Sequence, residues 1–214
     1  MDLLAWAIMR SASGQGSGPA PRETTRGDEV TRLLGDLSAG RPQAEEDLFR
    51  VVYQELRRIA AAQVGRLSAG QTLTPTVLVH EAYLRLIGNA APGWSGRGHF
   101  FGAAAQAMRQ IIVDGIRRKN ADKRGGGRPP LALDEALAIA PSGLDPEEVL
   151  AIDAALARLQ AEHPRQAKVV VMRYFAGLAE PEIAEALGVN PRTIERDWRF
   201  ARAYLRQALA EEPA

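Results

Sequence analysis

Apolar residues in this chain recur three and four positions apart, and no segment shows sustained alternation in twos. The first spacing lays a single apolar stripe along an α-helix, whereas a half-buried strand needs the second. Val30, Leu33, Leu34 and Leu37 make one such stripe, and Leu48, Val51, Val52, Leu56 and Ile59 make the next. Leu78, Val79, Ala82, Tyr83 and Leu86 form a third, followed by Phe101, Ala104, Ala105, Met108, Ile111 and Ile112 over about 99–119. Val149, Ile152, Leu156 and Leu159, then Ala167, Val170, Val171 and Tyr174, continue the pattern. The predicted fold class is therefore all-α.

Punctuation between the stripes divides the chain. Thr74-Pro75 reads as an N-cap with proline in the first helical position, and Gly88-Asn89 as that helix's end. Asp145-Pro146-Glu147-Glu148 has the same logic with two acids at the positive end of the helix dipole. Gly125-Gly126-Gly127, Pro129-Pro130 and Pro141-Ser142-Gly143 mark the strongest boundary. The expected organisation is a Ser/Gly/Pro-rich disordered extension (1–25), a helical domain (26–124), a flexible linker (125–145) and a second helical domain (146–210).

The 214 residues carry a net charge of only +1, but the cations are clustered. Arg109, Arg117, Arg118, Lys119, Lys123, Arg124 and Arg128 face only Asp114 and Asp122 within their stretch. Arg192, Arg196, Arg199, Arg202 and Arg206 face only Glu195 and Asp197. Either island alone is also what a solvated helix face looks like, whereas two in a near-neutral chain suggest two contacts with a polyanion. The absence of cysteine excludes disulfides and thiolate metal sites, and His80, His99 and His163 have no ligand spacing. No metal or cofactor is expected. Leu3–Met9 is apolar but short, without a basic flank or a cleavage site, and no run approaches the ~20 apolar residues of a membrane span. A cytoplasmic protein with no membrane insertion is expected.

The segment from Leu178 to Trp198 is the most specific. Ile183, Ala184 and Leu187 turn the apolar side of a short helix inward, and Gly188 supplies a turn. Asn190 then caps a second helix that starts at Pro191 and buries Ile194, Trp198, Ala201 and Leu205. Arg192, Thr193, Arg196, Arg199 and Arg202 are left for DNA, as in a helix-turn-helix whose second helix enters the major groove. This unit alone names no function, because regulators of several kinds share it.

Over about residues 28–210 the chain resembles the extracytoplasmic-function (ECF) sigma factors of bacteria. Thr76-Val-Leu-Val-His-Glu-Ala-Tyr-Leu-Arg-Leu86 is similar to that family's region 2.2 helix, which binds the clamp helices of the polymerase β′ subunit. Phe100-Phe-Gly-Ala-Ala-Ala-Gln-Ala-Met-Arg-Gln-Ile-Ile-Val-Asp-Gly-Ile-Arg-Arg-Lys119 is similar to the region 2.3–2.4 helix, which opens and reads the −10 element. Residues 146–210 resemble region 4, which reads the −35 element. The His-Glu-Ala-Tyr-Leu-Arg-Leu string and the Asp-Trp-x-x-Ala-Arg end look most like a subgroup common in planctomycetes and related bacteria. Val77 stands where relatives often have an acid, Gln110 where Asn is usual, and Glu195 and Asp197 where basic or small polar residues are common.

By this resemblance His80, Glu81, Leu84 and Arg85 contact polymerase, on the helix face opposite the apolar stripe. That face is equally what a solvated surface with a Glu81–Arg85 pair looks like. Trp94 and Phe100 flank the loop where the family captures flipped bases, with Phe101 read as core and Trp94 equally readable as local packing. Aromatic stacking on a base is worth ~1–3 kcal/mol, enough to offset unstacking. Arg109, Gln110, Arg117, Arg118 and Lys119 complete the −10 set, the cations holding phosphates. The acids Glu195 and Asp197 either hold neighbouring arginines or accept from a cytosine amino group.

The implied function is a non-catalytic sigma factor that directs core RNA polymerase (β′ clamp helices and β flap) to promoter DNA and assists melting. Many members are also held by an anti-sigma factor, and no residue here identifies one. The alternative is an ordinary helix-turn-helix regulator whose N-terminal bundle binds a ligand or dimerises. No nucleophile–base pair, phosphate loop or metal cluster supports an enzyme.

Overall fold

The computed structural model describes residues 21–68, 73–88, 93–124 and 143–211. Among them the elements are helices: α1 Pro21–Ser38, α2 Ala44–Val64, α3 Pro75–Gly88 and α4 Arg97–Arg124. After residues 125–142 come α5 Pro146–Glu162, α6 Pro164–Val170 running into a π turn Val171–Phe175, α7 Glu180–Leu187 and α8 Pro191–Glu211. The all-α expectation holds. An isolated parallel bridge, Leu67 with Leu144, is the one β pairing among the described residues.

Local chemistry sets the helix ends. Thr74 Oγ1 accepts the Val77 N–H at 3.4 Å. Asp145 and Glu148 form a reciprocal capping box, each side chain satisfying the other's backbone N–H at 2.8 and 2.9 Å. Asn190 Oδ1 accepts the Arg192 N–H at 2.9 Å, and Gly188 turns the chain between α7 and α8 with φ 64°. Helix α1 starts at Pro21, so that its first five residues fall within the expected disordered extension; the rest of that extension lies outside the described residues. The expected flexible linker also lies mostly outside them. Its last residues, Gly143 to Asp145, run beside the end of α2: Leu144 N–H donates to Arg66 O at 2.7 Å and Ser68 N–H to Leu144 O at 2.9 Å.

Helices α1–α4 bury the stripes read from sequence, with Leu34, Leu48, Leu56, Ile59, Leu78 and Met108 at the centre. Helices α5–α8 enclose Leu156, Leu159, Ile183, Ile194 and Trp198. The two bundles are packed on each other, so that their buried residues form one continuous apolar cluster. Helix α4 faces the π turn, α5 and α7 along this seam. Two glycines of α4 admit the neighbour. A Cβ at Gly102 would sit 3.0 Å from Met172 Cγ, and one at Gly98 would sit 2.9 Å from the Ala186 Cβ. Val169 and Met172 are consequently buried together with Val170 and Val171, beyond the single stripe that the sequence predicts.

Two glycine-to-alanine substitutions should shift urea-unfolding midpoints in opposite directions. Gly35 lies exposed within α1 with open space around it, so Gly35→Ala should stabilise by about 0.8–1 kcal/mol. Gly188 has equal space but a left-handed backbone, so Gly188→Ala should destabilise by about 1–2 kcal/mol.

Candidate nucleic-acid interface

Successive residues of α8 turn by about 100°, which places Arg192, Arg196, Arg199 and Arg206 on one side and Ile194, Trp198, Ala201 and Leu205 on the other. The four arginines are exposed and the apolar set is buried. Thr193 is half-buried beside them. Glu195 stays on the surface, 3.6 Å from Arg199. Asp197 does not: its carboxylate is buried, accepting from Arg165 Nε at 2.6 Å, Arg165 Nη2 at 3.1 Å and Gln166 Nε2 at 3.0 Å. Those bonds raise the Arg165 pKa above its ordinary value. Asp197 thus ties α8 to α6, and of the two roles expected for it only the holding of an arginine fits.

Arg202 corrects another expectation. One turn beyond Arg199 it rotates toward the buried side, half-buried, its Nε without a partner. It borders a small apolar cavity with Ile152, Leu156, Val170 and Trp198 instead of joining the cationic face. Arg206 takes that place, as helical rotation alone would have indicated. The sequence reading also missed Phe200, an exposed aromatic against His163 (ring centroids 4.7 Å apart).

On α4, Gln110, Arg117, Arg118 and Lys119 are exposed, with Arg118 Nε donating to Asp114 O at 3.3 Å. Arg109 is not. Only 7% of it is exposed, and its guanidinium pairs with Asp153 of α5, the residue that Arg117 also reaches at 3.0 Å. Burial lowers the Arg109 pKa, Asp153 opposes that, and the charge of Arg117 adds to it. The phosphate contact expected of Arg109 is therefore closed off in this arrangement, because the seam covers it. Phe100 is likewise corrected: it is fully buried, its ring edge-on to Phe101, and cannot receive a base. Trp94 is half-buried over Phe100 and His99, with ring centroids 5.4 and 5.5 Å away.

The third surface is the outer face of α3. His80, Glu81, Leu84 and Arg85 are all exposed, and Val77, 46% exposed, lies one helical repeat before Leu84, itself 67% exposed. Arg85 lies 3.5 Å from Asp114 of α4, across helices and not along its own. Phe49 and Tyr53 of α2 border His80. Val77 departs from the family pattern in sequence, yet its exposure makes it part of the same strip.

The ECF sigma factor family matches residues 27–211, from within α1 to the last residue of α8. The chain belongs to the ECF sigma factor family. It is accordingly a transcription-initiation factor whose partners are core RNA polymerase and promoter DNA. No curated protein matches it in sequence. The match runs through both bundles, which a ligand-binding bundle joined to an unrelated helix-turn-helix would not give. Among the described residues no helix is long and apolar enough to cross a membrane, and no three His, Asp or Glu side chains converge as metal ligands.

Two neighbours on α8 should separate stability from binding. Asp197→Ala should lower unfolding stability on the order of 2 kcal/mol, since it strips the buried acceptor from Arg165 and Gln166. Arg196→Ala, at an exposed position, should leave the unfolding midpoint within about 0.5 kcal/mol.

Proposed function

We propose that α1–α4 act as the polymerase-binding and −10-reading domain of this sigma factor, and α5–α8 as its −35 reader. Support comes from three chemically distinct surfaces on one family-matched chain: two cationic helix faces and one mixed apolar and charged strip. On α8, Arg192, Thr193, Arg196 and Arg199, with Arg206, present guanidinium forks and a hydroxyl to base edges and phosphates. On α4, Arg117, Arg118 and Lys119 hold the backbone near the melted strand while Gln110 meets a base. Trp94 offers a stacking ring beside a loop, which stabilises an unpaired base at about 1–3 kcal/mol.

The strip Val77, His80, Glu81, Leu84 and Arg85 docks on the β′ clamp helices. Leu84 is the central apolar contact and the charges set register, as polar rims do around small apolar cores. The β flap engages the second bundle. The factor assists strand opening by trapping unpaired bases, and the chemistry of RNA synthesis remains with the polymerase.

Run-off transcription with core RNA polymerase and a library of genomic promoter fragments tests this reading. Promoter-specific transcripts that depend on the chain are expected; core binding without any such transcript would refute the initiation role. In the same assay Arg196→Ala should weaken −35 recognition about tenfold and leave core affinity unchanged. Leu84→Ala should do the reverse, reducing core affinity several-fold. If both variants lose both activities equally, the division of labour is wrong.

A further inference from the structure

Among the described residues, five buried side-chain polar atoms have no protein partner, and four of them belong to the lining of two adjoining cavities. The larger, about 50 Å³, is lined by the residues that carry Gln63 Oε1, Arg66 Nη1 and Arg109 Nε. The smaller, about 30 Å³, is lined by Arg202, whose Nε is the fourth. Ile152, Tyr174 and Phe175 border both. Two of these three belong to the π turn, a distortion found mostly at functional sites. Buried polar groups are otherwise paired almost throughout, so orphans gathered in one place call for a partner.

The polar side chains of the larger cavity are each held at one atom and open at another. Gln63, 3% exposed, donates its amide N–H to the Ala105 carbonyl at 3.3 Å, which leaves its oxygen as an acceptor. Arg109, 7% exposed, gives Nη1 to Asp153 and keeps Nε as a donor. Arg66 gives Nη2 to the Tyr174 carbonyl at 3.0 Å, its guanidinium 4.1 Å over that ring, and keeps Nη1. Two arginines and one carboxylate, Asp153, are the charged groups of the lining, so the cavity is cationic. Water alone does not suit it. One water fills roughly 10–15 Å³ and needs about two to four polar partners, so there is room for about three to five. A single water meets all three open atoms; the others would face Ile112, Val113, Val149 and Ile152.

We propose that this cavity, between α2, α4, α5 and the π turn, is a binding site for a small 2-hydroxycarboxylate. The carboxylate accepts from Arg66 Nη1 and Arg109 Nε, and the hydroxyl donates to Gln63 Oε1. A short alkyl chain then covers Ile112, Val149 and Ile152. Negative charge answers the two guanidiniums, and the small volume requires the donor to sit next to the carboxylate. An ammonium in that place, as in an amino acid, would be repelled by the same guanidiniums.

Titration of the full chain with 2-hydroxybutyrate and with butyrate, read by calorimetry and by thermal unfolding at constant ionic strength, tests it. The hydroxy acid should raise Tm along a saturating curve, as a ligand of the folded state does. Butyrate should bind at least about tenfold more weakly, because it leaves the Gln63 oxygen unpaired. Arg66→Met, which keeps an unbranched stem but no donor, should cut the affinity for 2-hydroxybutyrate at least about tenfold. Ile152→Phe, which fills the cavity, should abolish binding.

Absence of a saturating Tm rise with the hydroxy acid would overturn the proposal, as would a rise that sodium chloride at equal concentration matches. Equal affinity for the two acids would overturn the ligand class. Binding that survives both substitutions would overturn the site. Should Arg66→Met fail to fold, as judged by circular dichroism, Ile152→Phe decides. Should both fail, a crystal structure of the wild-type chain grown with 2-hydroxybutyrate decides, and water alone against Arg66, Arg109 and Gln63 overturns the inference.

Discussion

The seam between the bundles depends on the approach of α4 to the second bundle at Gly98 and Gly102. Any Cβ at Gly98 would meet the Ala186 Cβ at 2.9 Å and the Glu182 carbonyl oxygen at 3.1 Å, so that approach needs a bare backbone. Glycine in a helix interior costs about 1 kcal/mol relative to alanine, and α4 bears that cost at Gly102. The close contact has a chemical consequence: it brings Asp153 to Arg109 and Arg117, and Glu182 to Arg97. Helix α4 therefore meets three demands at once. Its inner face is core to the first bundle, a second face is covered by the π turn, and Arg117, Arg118 and Lys119 remain on the surface.

The second bundle is held by a different device. Asp197, buried in α8, fixes α6 through Arg165 and Gln166, while Arg173 stacks 4.8 Å over Trp198 and pairs with Glu180 at 2.5 Å. These bonds orient the helix-turn-helix from behind, leaving Arg192, Arg196 and Arg199 unobstructed in front. For the DNA-reading role proposed for α8 such support matters, since base readout needs its side chains within fractions of an ångström of place. The π turn has an equally definite position. Ala176 N–H reaches back to Val171 O and Leu178 N–H to Met172 O, both at 3.0 Å, and this widened turn is where the second bundle touches α4.

Most of the fold was legible because it is locally encoded. Of the apolar stripes read from the sequence every residue but Ile152, which borders cavities, is buried or packed against the core, and Thr74, Asp145 and Asn190 cap where their neighbours indicated. The cationic side of α8 was legible for the same reason, though rotation by 100° per residue exchanges Arg202 for Arg206. The burial of Phe100 was not legible, because two adjacent aromatics begin α4 and a single stripe offers a place to only one of them. In the structure both are buried, Phe100 beneath Trp94 and Phe101 beneath Arg97.

The sequence by itself determined the helices, their ends, the helix-turn-helix and the segregation of charge, since these depend on residues within a turn or two of each other. Only the tertiary structure decided which charges face water. Arg109 and Arg117 read identically as cations of one basic stretch, yet one is buried and both are paired, because their partner lies 44 and 36 residues further along the chain. Asp197 looks like a surface acid in the sequence, but Arg165, 32 residues earlier, encloses it. An ion pair depends on distance in space, and local sequence patterns carry no record of that distance.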